Sequence, residues 1–427
     1  MPTSSHVLDR IDVTFDDDHA VANAGLVLPA TLLERLGLEA AADESVSSGY
    51  RPGRKVATVV AGILAGAECI DDLSVLRAGA TERVLSTKAM APSTVGTWLR
   101  SLTFGHVRQL DKVSEQLLTR AWRAGAGPGA QPMTIDVDST ICEVHGYAKQ
   151  GAAYGYTRQL GYHPILATRS DTGEVLHTRM RKGSANTMRG AERFVRETVG
   201  RVRRAGGAGP LTLRADSGSW ANKVIDACGD HDMRYSITVR ATKAVVAAIA
   251  QIDETAWIDI DYTEGGRAQV AETVLSGRRL VVRRTRLTGR QAQLFPDWRH
   301  HAFVTDRPGS AVALDADHRH HAVVELAIRD LKQGAGLAHC PSGTFNANAA
   351  WLVLAALAHN VLRWTARLGV IADGAVVAKT IRRSLLTIPG RLTHSARKLT
   401  LHLPTRWPWA QQFTFALQRL RALPALC

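Results

Sequence analysis

Cysteine is scarce: there are five in 427 residues, at Cys69, Cys142, Cys228, Cys340 and Cys427, and no two form a CxxC pair. That spacing argues against both a zinc knuckle and a disulfide framework, and leaves ordinary buried thiols. Long hydrophobic runs are missing too. The two longest apolar stretches, Val56–Ile70 and Ala349–Val361, are interrupted by Glu68 and His359. Both fall short of a membrane-spanning helix and are expected to be core helices. The first twenty residues lack the basic and apolar regions of a secretory signal, so a cytoplasmic location is expected. Acids are absent from one end: residues 374–427 hold nine Lys or Arg and no Asp or Glu, whereas residues 1–50 hold nine acids and two Arg.

What is present is a basic globular composition. Hydrophobic residues make up 45% of the chain, and 53 Lys+Arg against 39 Asp+Glu give a net charge of +14. Such a balance suits a polyanionic partner, because each phosphate neutralised releases condensed counterions. Nucleic acid is therefore expected before membrane. The length predicts two or three domains.

Apolar spacing of three and four predicts helices from about Thr31 to Ala124. Ala91–Arg100, with Pro92 near its start, and His106–Trp122 are spaced like a helix-turn-helix, which serves either as a DNA contact or as a plain core pair. The run Ala124–Gln131 is rich in Gly and Pro and marks a break. After it the period changes to that of strands: Pro132–Val144, then Tyr162–Arg169 and Glu174–Arg181 about the turn Ser170–Gly173. A helix over Thr187–Arg204, a strand Leu211–Ala215, a helix Trp220–Cys228 and a strand Arg234–Val239 follow. Three antiparallel strands followed by helix, strand, helix and strand is the order of a ribonuclease-H-like core. Trp257–Tyr262, Ala268–Leu275 and Arg279–Arg286 read as a β-rich insertion. Helices return at Asp317–Gln333 and Asn346–Leu368, and Lys398–Leu403 is a last strand. The predicted fold class is thus α/β: a ribonuclease-H-like mixed sheet with a β-rich insertion, preceded by an α-helical N-terminal domain. The predicted divisions are 1–128 (helical, binding DNA ends), 129–240 (first part of the core), 241–310 (insertion), 311–370 (core helix with a glutamate) and 371–427 (basic segment for DNA or dimer contacts).

Carboxylates in apolar settings carry the chemistry. In Thr134–Thr140 the strand period puts Asp136 and Asp138 on one face. Acids there are costly to bury unless a cation compensates them, and the alternative is a solvated sheet edge. Asp216 ends the strand Leu211–Ala215, where open α/β sheets place ligands, or else it only caps the next helix. On the helix Asp317–Gln333, His318, His321, Glu325, Arg329 and Lys332 fall in one polar stripe, which is either functional or a solvated face with a Glu325–Arg329 pair. One acid on the first strand, one after the fourth and one on a late helix form a conjunction that a two-metal site uses. Two Mg²⁺ ions about 3.5–4 Å apart, with Mn²⁺ as a substitute, would activate an attacking oxygen and stabilise the leaving one at phosphorus.

These residues resemble the DDE motif of bacterial insertion-sequence transposases, in particular the insertion sequence 1380 family. The similarity lies in Ile135–Gly161 with its Gln150–Tyr156 run, in Leu213–Gly218, and in Val323–Gly334 with Phe345–Ala349; together it spans about residues 132–364. The resemblance implies Asp138, Asp216 and Glu325 as catalytic metal ligands, with Asp136 as a further or exchangeable one. It also implies Lys332, Arg329, His321, His318, Arg283, Arg284 and Arg286 as DNA contacts. The related glutamate helix carries Tyr-x-x-Arg-x-x-x-Glu-x-x-x-x-x-x-Lys; this chain keeps Glu325 and Lys332 but has His318 and His321 in the first two places. The implied activity is binding of terminal inverted repeats on double-stranded DNA, cleavage, and transfer of the 3′-ends to target DNA, by a homodimer associated with the bacterial nucleoid and with no membrane partner. Trp257, Trp298 and Arg283–Arg286 are expected either to clamp an unpaired base or to be core. The remaining alternatives are a ribonuclease-H-like nuclease without strand transfer and a catalytically silent DNA-binding protein.

Overall fold

A computed structural model describes residues 11–85, 87–146, 148–155, 157–186, 188–263, 265–287, 298–372 and 374–426. The N-terminal part places a short strand β1 (Ala20–Val21) before helices α1 (Val27–Arg35), α2 (Leu38–Ser45), α3 (Pro52–Ala65), α4 (Pro92–Ser101) and α5 (Phe104–Ala121). Proline opens α3 and α4, where its missing N–H costs nothing. Thr103 caps α5 by accepting from the His106 N–H.

The central part begins with β2 (Met133–Ser139), β3 (Cys142–Glu143), β4 (Ala153–Tyr154), β5 (Leu160–Tyr162), β6 (Ile165–Arg169) and β7 (Val175–Arg179). It continues through α6 (Ala191–Arg204), β8 (Leu211–Ala215), α7 (Asn222–Asp230), β9 (Met233–Thr238) and α8 (Lys243–Ala250). Strands β10 (Ile258–Ile260), β11 (Gly266–Leu275), β12 (Arg278–Leu287) and β13 (Arg299–Thr305) come next. They lead to α9 (Ala311–Arg319), α10 (Val323–Gly334) and α11 (Phe345–Leu368). The C-terminal part adds α12 (Ala378–Ile381), β14 (Gly390–Ser395), β15 (Lys398–His402) and α13 (Ala410–Arg421). Tyr156, Thr187 and Cys427, named above, lie outside the described residues; Cys69, Cys142, Cys228 and Cys340 are free thiols.

Nine strands form one sheet in the order β10-β11-β12-β13-β9-β8-β2-β6-β7. Its last five members run 5-4-1-2-3 in core order, with β8 and β9 parallel to β2 or to each other and β6 and β7 antiparallel, which is the ribonuclease-H-like arrangement. The predicted insertion is not a body apart. Strand β13 pairs with β9, so β10–β13 extend the same sheet, and helix α8 was not foreseen at all.

The predicted break at Ala124–Gln131 is a tight turn rather than an open linker. Gly125 and Gly129 take φ of 110° and 60°, a conformation glycine adopts without penalty. The helical part packs on α11, and buried side chains from both sides merge into one hydrophobic core. At that seam the buried Glu174 carboxylate accepts from Trp122 Nε1 at 3.0 Å and Trp364 Nε1 at 2.5 Å. It also pairs with Arg169 at 3.1 Å. Helix α11 covers the predicted Asn346–Leu368 and one residue more. At 24 residues it satisfies the length and composition of a membrane span, but 89% of its most apolar window is buried in this protein. It is the core helix around which the layers assemble. The polar stripe predicted on one helix is split, since a 3₁₀ turn at His320–Ala322 separates α9 from α10.

A second seam is ionic. Asp111 of α5 meets Arg201 of α6 at 2.8 Å and the buried His177 of β7 at 3.5 Å. Burial works to raise the Asp111 carboxyl, but His177 and Arg201 hold it well below the ordinary carboxylate range. A carboxyl depressed in the folded state stabilises above its unfolded pKa of about 3.9, and that contribution is lost as pH falls through the folded value. Asp111→Ala is expected to cost about 3 kcal/mol in urea denaturation at pH 7. The difference from wild type should shrink as the pH drops below about 4, where Asp111 protonates in the unfolded chain while it is still ionised in the folded one.

Candidate active site

The register of β2 against its parallel neighbour β8 sets the site. Asp136 lies opposite Arg214 and Val137 opposite Ala215, so continuing the register sets Asp138 beside Asp216. In-register residues on adjacent parallel strands project to the same face about 4.8 Å apart. One register step therefore makes an attractive pair, and the next Asp–Asp step makes a repulsive one.

The attractive pair is complete. Arg214 Nε donates to Asp136 Oδ1 at 2.7 Å and Nη2 to Oδ2 at 2.9 Å, with both side chains essentially inaccessible. His321 Nδ1 approaches Oδ1 at 2.9 Å. Arg214 also donates to the Ser170 hydroxyl at 2.7 Å and the Asp317 carbonyl at 2.5 Å. Burial opposes ionisation of Asp136, but Arg214 and His321 hold its carboxyl below the ordinary range. The choice between Asp136 and Asp138 left open by the sequence thus has a structural asymmetry: Asp136 is saturated by its own protein, and Asp138 is not.

Asp138 is partly accessible and accepts from the Ser139 N–H at 2.6 Å. Burial, with the Asp216 and Glu325 carboxylates nearby, pushes its carboxyl up to about 6, against the opposing pull of Ser139 and His321. Asp216 follows β8 and caps the 3₁₀ turn Ser217–Ser219 by accepting from the Gly218 N–H at 3.1 Å. Capping and proximity to Asp138 coexist here. Glu325 is exposed in the first turn of α10, and no Glu325–Arg329 ion pair forms among the described residues. Helix α10 buries Val324, Ile328 and Leu331, and Lys332 Nζ ties it to the segment just after β2 by donating to the Ile141 carbonyl at 2.7 Å.

All three acids are hard oxygen donors of the kind Mg²⁺ takes. The raised Asp138 carboxyl marks a site where negative charge is uncompensated by protein, which is the field a bound divalent cation would relieve. Among the described residues no three His, Cys, Asp or Glu side chains are gathered closely enough to enclose an ion by themselves. Asp138 and Asp216 sit at the carboxyl ends of β2 and β8, and Glu325 of α10 is near enough to add to the field on Asp138.

The structure assigns other duties to several of the predicted DNA contacts. His318 is a packed ring stacked on Phe303 at 4.1 Å, and it bonds the Ser236 and Thr238 hydroxyls at 2.8 and 2.9 Å. Burial, then His321 and Arg214, push it down to about 3, and both ring nitrogens are engaged by those hydroxyls. Arg284 is buried between the rings of Trp257 and Trp298, at 4.1 and 4.5 Å, and is held by Gln269 and by both oxygens of Glu254. The inner faces of those indoles hold an arginine instead of a base. Arg283 is partly buried 3.8 Å from Asp315, whereas Arg286 is exposed over Trp298 and Arg329 is exposed beside Glu325. His321 keeps its Nε2 buried without a hydrogen-bond partner among the described residues. Helix α4, read as a DNA contact or a core element, borders a cavity of about 700 Å³ shared with Glu143, His145, Lys149 and His339.

Two residues at the site carried no sequence signal beyond strand period. His163 Nε2 lies 2.9 Å from the Ser139 hydroxyl, and Arg181, buried on the same hairpin, donates to the His163 carbonyl at 2.8 Å. Burial, then Arg179, lower Arg181 to about 10, and Asp216 is the acid that opposes them. An arginine within a strand is a signal only when its register partner is known.

A ribonuclease-H-like sheet with acids at the carboxyl ends of its two central parallel strands, and a third on a following helix, defines the DDE class of nucleic-acid enzymes. The family model described as "Transposase DDE domain group 1" matches residues 4–425, and the chain belongs to that family. Among solved structures, it is similar to a piggyBac transposase in a synaptic complex with hairpin DNA, at 12% identity and a TM-score of 0.44, over 86% of this chain and 79% of that one. No curated protein matches the chain.

Opposite stability effects are expected for the two neighbouring aspartates. Asp136→Asn leaves Arg214 with an unneutralised buried charge and should cost about 3–5 kcal/mol in denaturant titration. A carboxyl raised in the folded state destabilises above its folded pKa, so Asp138→Asn should gain on the order of 1 kcal/mol at pH 8 with chelator present. That gain should vanish as the pH falls below about 4, where the acid is protonated folded or unfolded. A loss on Asp138→Asn matching that on Asp136→Asn would refute the asymmetry.

Proposed function

We propose that this chain is a cut-and-paste transposase of an insertion sequence, close to the bacterial 1380 family, and that Asp138, Asp216 and Glu325 are its catalytic acids. The observation that carries this reading is the repulsive register step: Asp138 beside Asp216, with Glu325 adding to the field that raises Asp138. Mg²⁺ or Mn²⁺ held by these acids would supply an activated attacking oxygen and stabilise the leaving oxygen at phosphorus. The chain's own residues prepare that place. Arg214 fixes Asp136 and His321, and Lys332 fixes α10 against the end of β2. Arg329 and Arg286, both exposed, remain as contacts for DNA phosphates, with Lys332 bordering the site, whereas His321 is turned onto Asp136 with its Nε2 buried. The substrates are double-stranded terminal inverted repeats and target DNA, handled by a homodimer in the cytoplasm at the nucleoid.

The test is cleavage of a terminal-repeat duplex with Mg²⁺, comparing wild type with Asp138→Ala, Asp216→Ala and Glu325→Ala. Each substitution should reduce cleavage by at least about 10³-fold, the scale of losing a principal electrostatic element. Full cleavage by all three variants would end the proposal. Joined products on a supercoiled plasmid would distinguish strand transfer from hydrolysis alone.

A further inference from the structure

The C-terminal hairpin presents a surface the catalytic centre does not use. Strands β14 and β15 pair Arg391 with His402, Thr393 with Thr400 and Ser395 with Lys398. Alternation places these six side chains on one face: three bases, three hydroxyls and no carboxylate. The opposite face carries Leu392, which is buried and anchors the hairpin to the core, and Leu401, which packs against it. The two-residue turn between the strands has φ of 48° at Ala396 and 65° at Arg397. Positive φ at both positions is the geometry that follows the strand twist, and it is normally supplied by Asn-Gly. Here it sets an arginine at the tip.

Arg397 and Lys398 are exposed and make no ion pair among the described residues. Among the described residues, Asp17, just before β1, makes an ion pair at this face, 3.9 Å from Arg391. No Asp or Glu occurs from residue 374 onward, so within the C-terminal segment itself the charges of Arg397 and Lys398 have no acidic counterpart.

We infer that this ribbon is a docking surface for double-stranded DNA. A two-stranded β-ribbon fits the major groove, about 12 Å wide, and a face of cations and hydroxyls without a carboxylate suits phosphate oxygens at its edges. The contact is sequence-independent, since short hydroxyls and mobile cations read charge and groove shape more than bases. It rests on the reading of the chain as an enzyme acting on DNA and supplies a holding site additional to the acids.

The experiment uses the full-length protein, a labelled 30-base-pair duplex of random sequence, and chelator, so that binding is read without cleavage. Arg397→Asn/Lys398→Gln removes both charges while keeping a residue that tolerates the left-handed turn. The double variant should bind on the order of tenfold more weakly near 0.15 M salt, and the slope of log affinity against log salt should fall by roughly 2. Arg397→Lys/Lys398→Arg should restore both. Equal affinity and equal slope for the double variant, with an unchanged thermal melt, would overturn the inference. So would unchanged duplex binding with an altered sedimentation coefficient, which would assign the ribbon to a second copy of the chain. Failure of the catalytic reading is separable: wild type would then not cleave in Mg²⁺, while ribbon-dependent binding would persist.

Discussion

The buried pair between Arg214 and Asp136 is the constraint on which the rest of the site depends. Two ionised groups taken out of water are tolerated only when each is fully engaged, and here every oxygen of the carboxylate has a donor. The guanidinium has further acceptors at Ser170 and Asp317. One cation therefore joins the central strand, the hairpin turn after β6 and the end of α9. It also fixes the register of β2 on β8, and with it the juxtaposition of Asp138 and Asp216. A shift of one residue would turn both acids to the other face.

Much of this architecture was legible in the chain because its signals were local. Leu211–Ala215 alternates cleanly and forms β8 over those same residues, and the turn Ser170–Gly173 sits between two apolar runs that do pair. The strand order after the helical part followed from counting elements. What stayed hidden was non-local. No property of residues 241–310 reveals that β13 will pair with β9 and enlarge the main sheet, because that edge is chosen by tertiary packing. Helix α8, eight residues rich in alanine and valine, gave too short a period to separate from strand.

The site divides along the same line. The acids stood out because carboxylates are rare within apolar strands, and the register sets Asp138 beside Asp216. Their partners were not recognisable. An isolated arginine in Leu211–Ala215 says nothing until Asp136 is known to face it, and His163 and Arg181 gain meaning only beside Ser139 and Asp216. The stripe from His318 to Lys332 failed for a definite reason. A 3₁₀ turn at His320–Ala322 rotates the two halves relative to an ideal helix, sending His318 onto Phe303 and leaving Glu325 in the open.

The continuity of β13 with β9 has a mechanical meaning. A module joined by a flexible tether can swing toward a ligand on its own, but strands hydrogen-bonded into one sheet move as a plank. The stack of Trp257, Arg284 and Trp298 at the far end is thus geared to the strands that carry the acids. Strain applied there by a bound helix would be felt as twist at the carboxyl ends of β2 and β8.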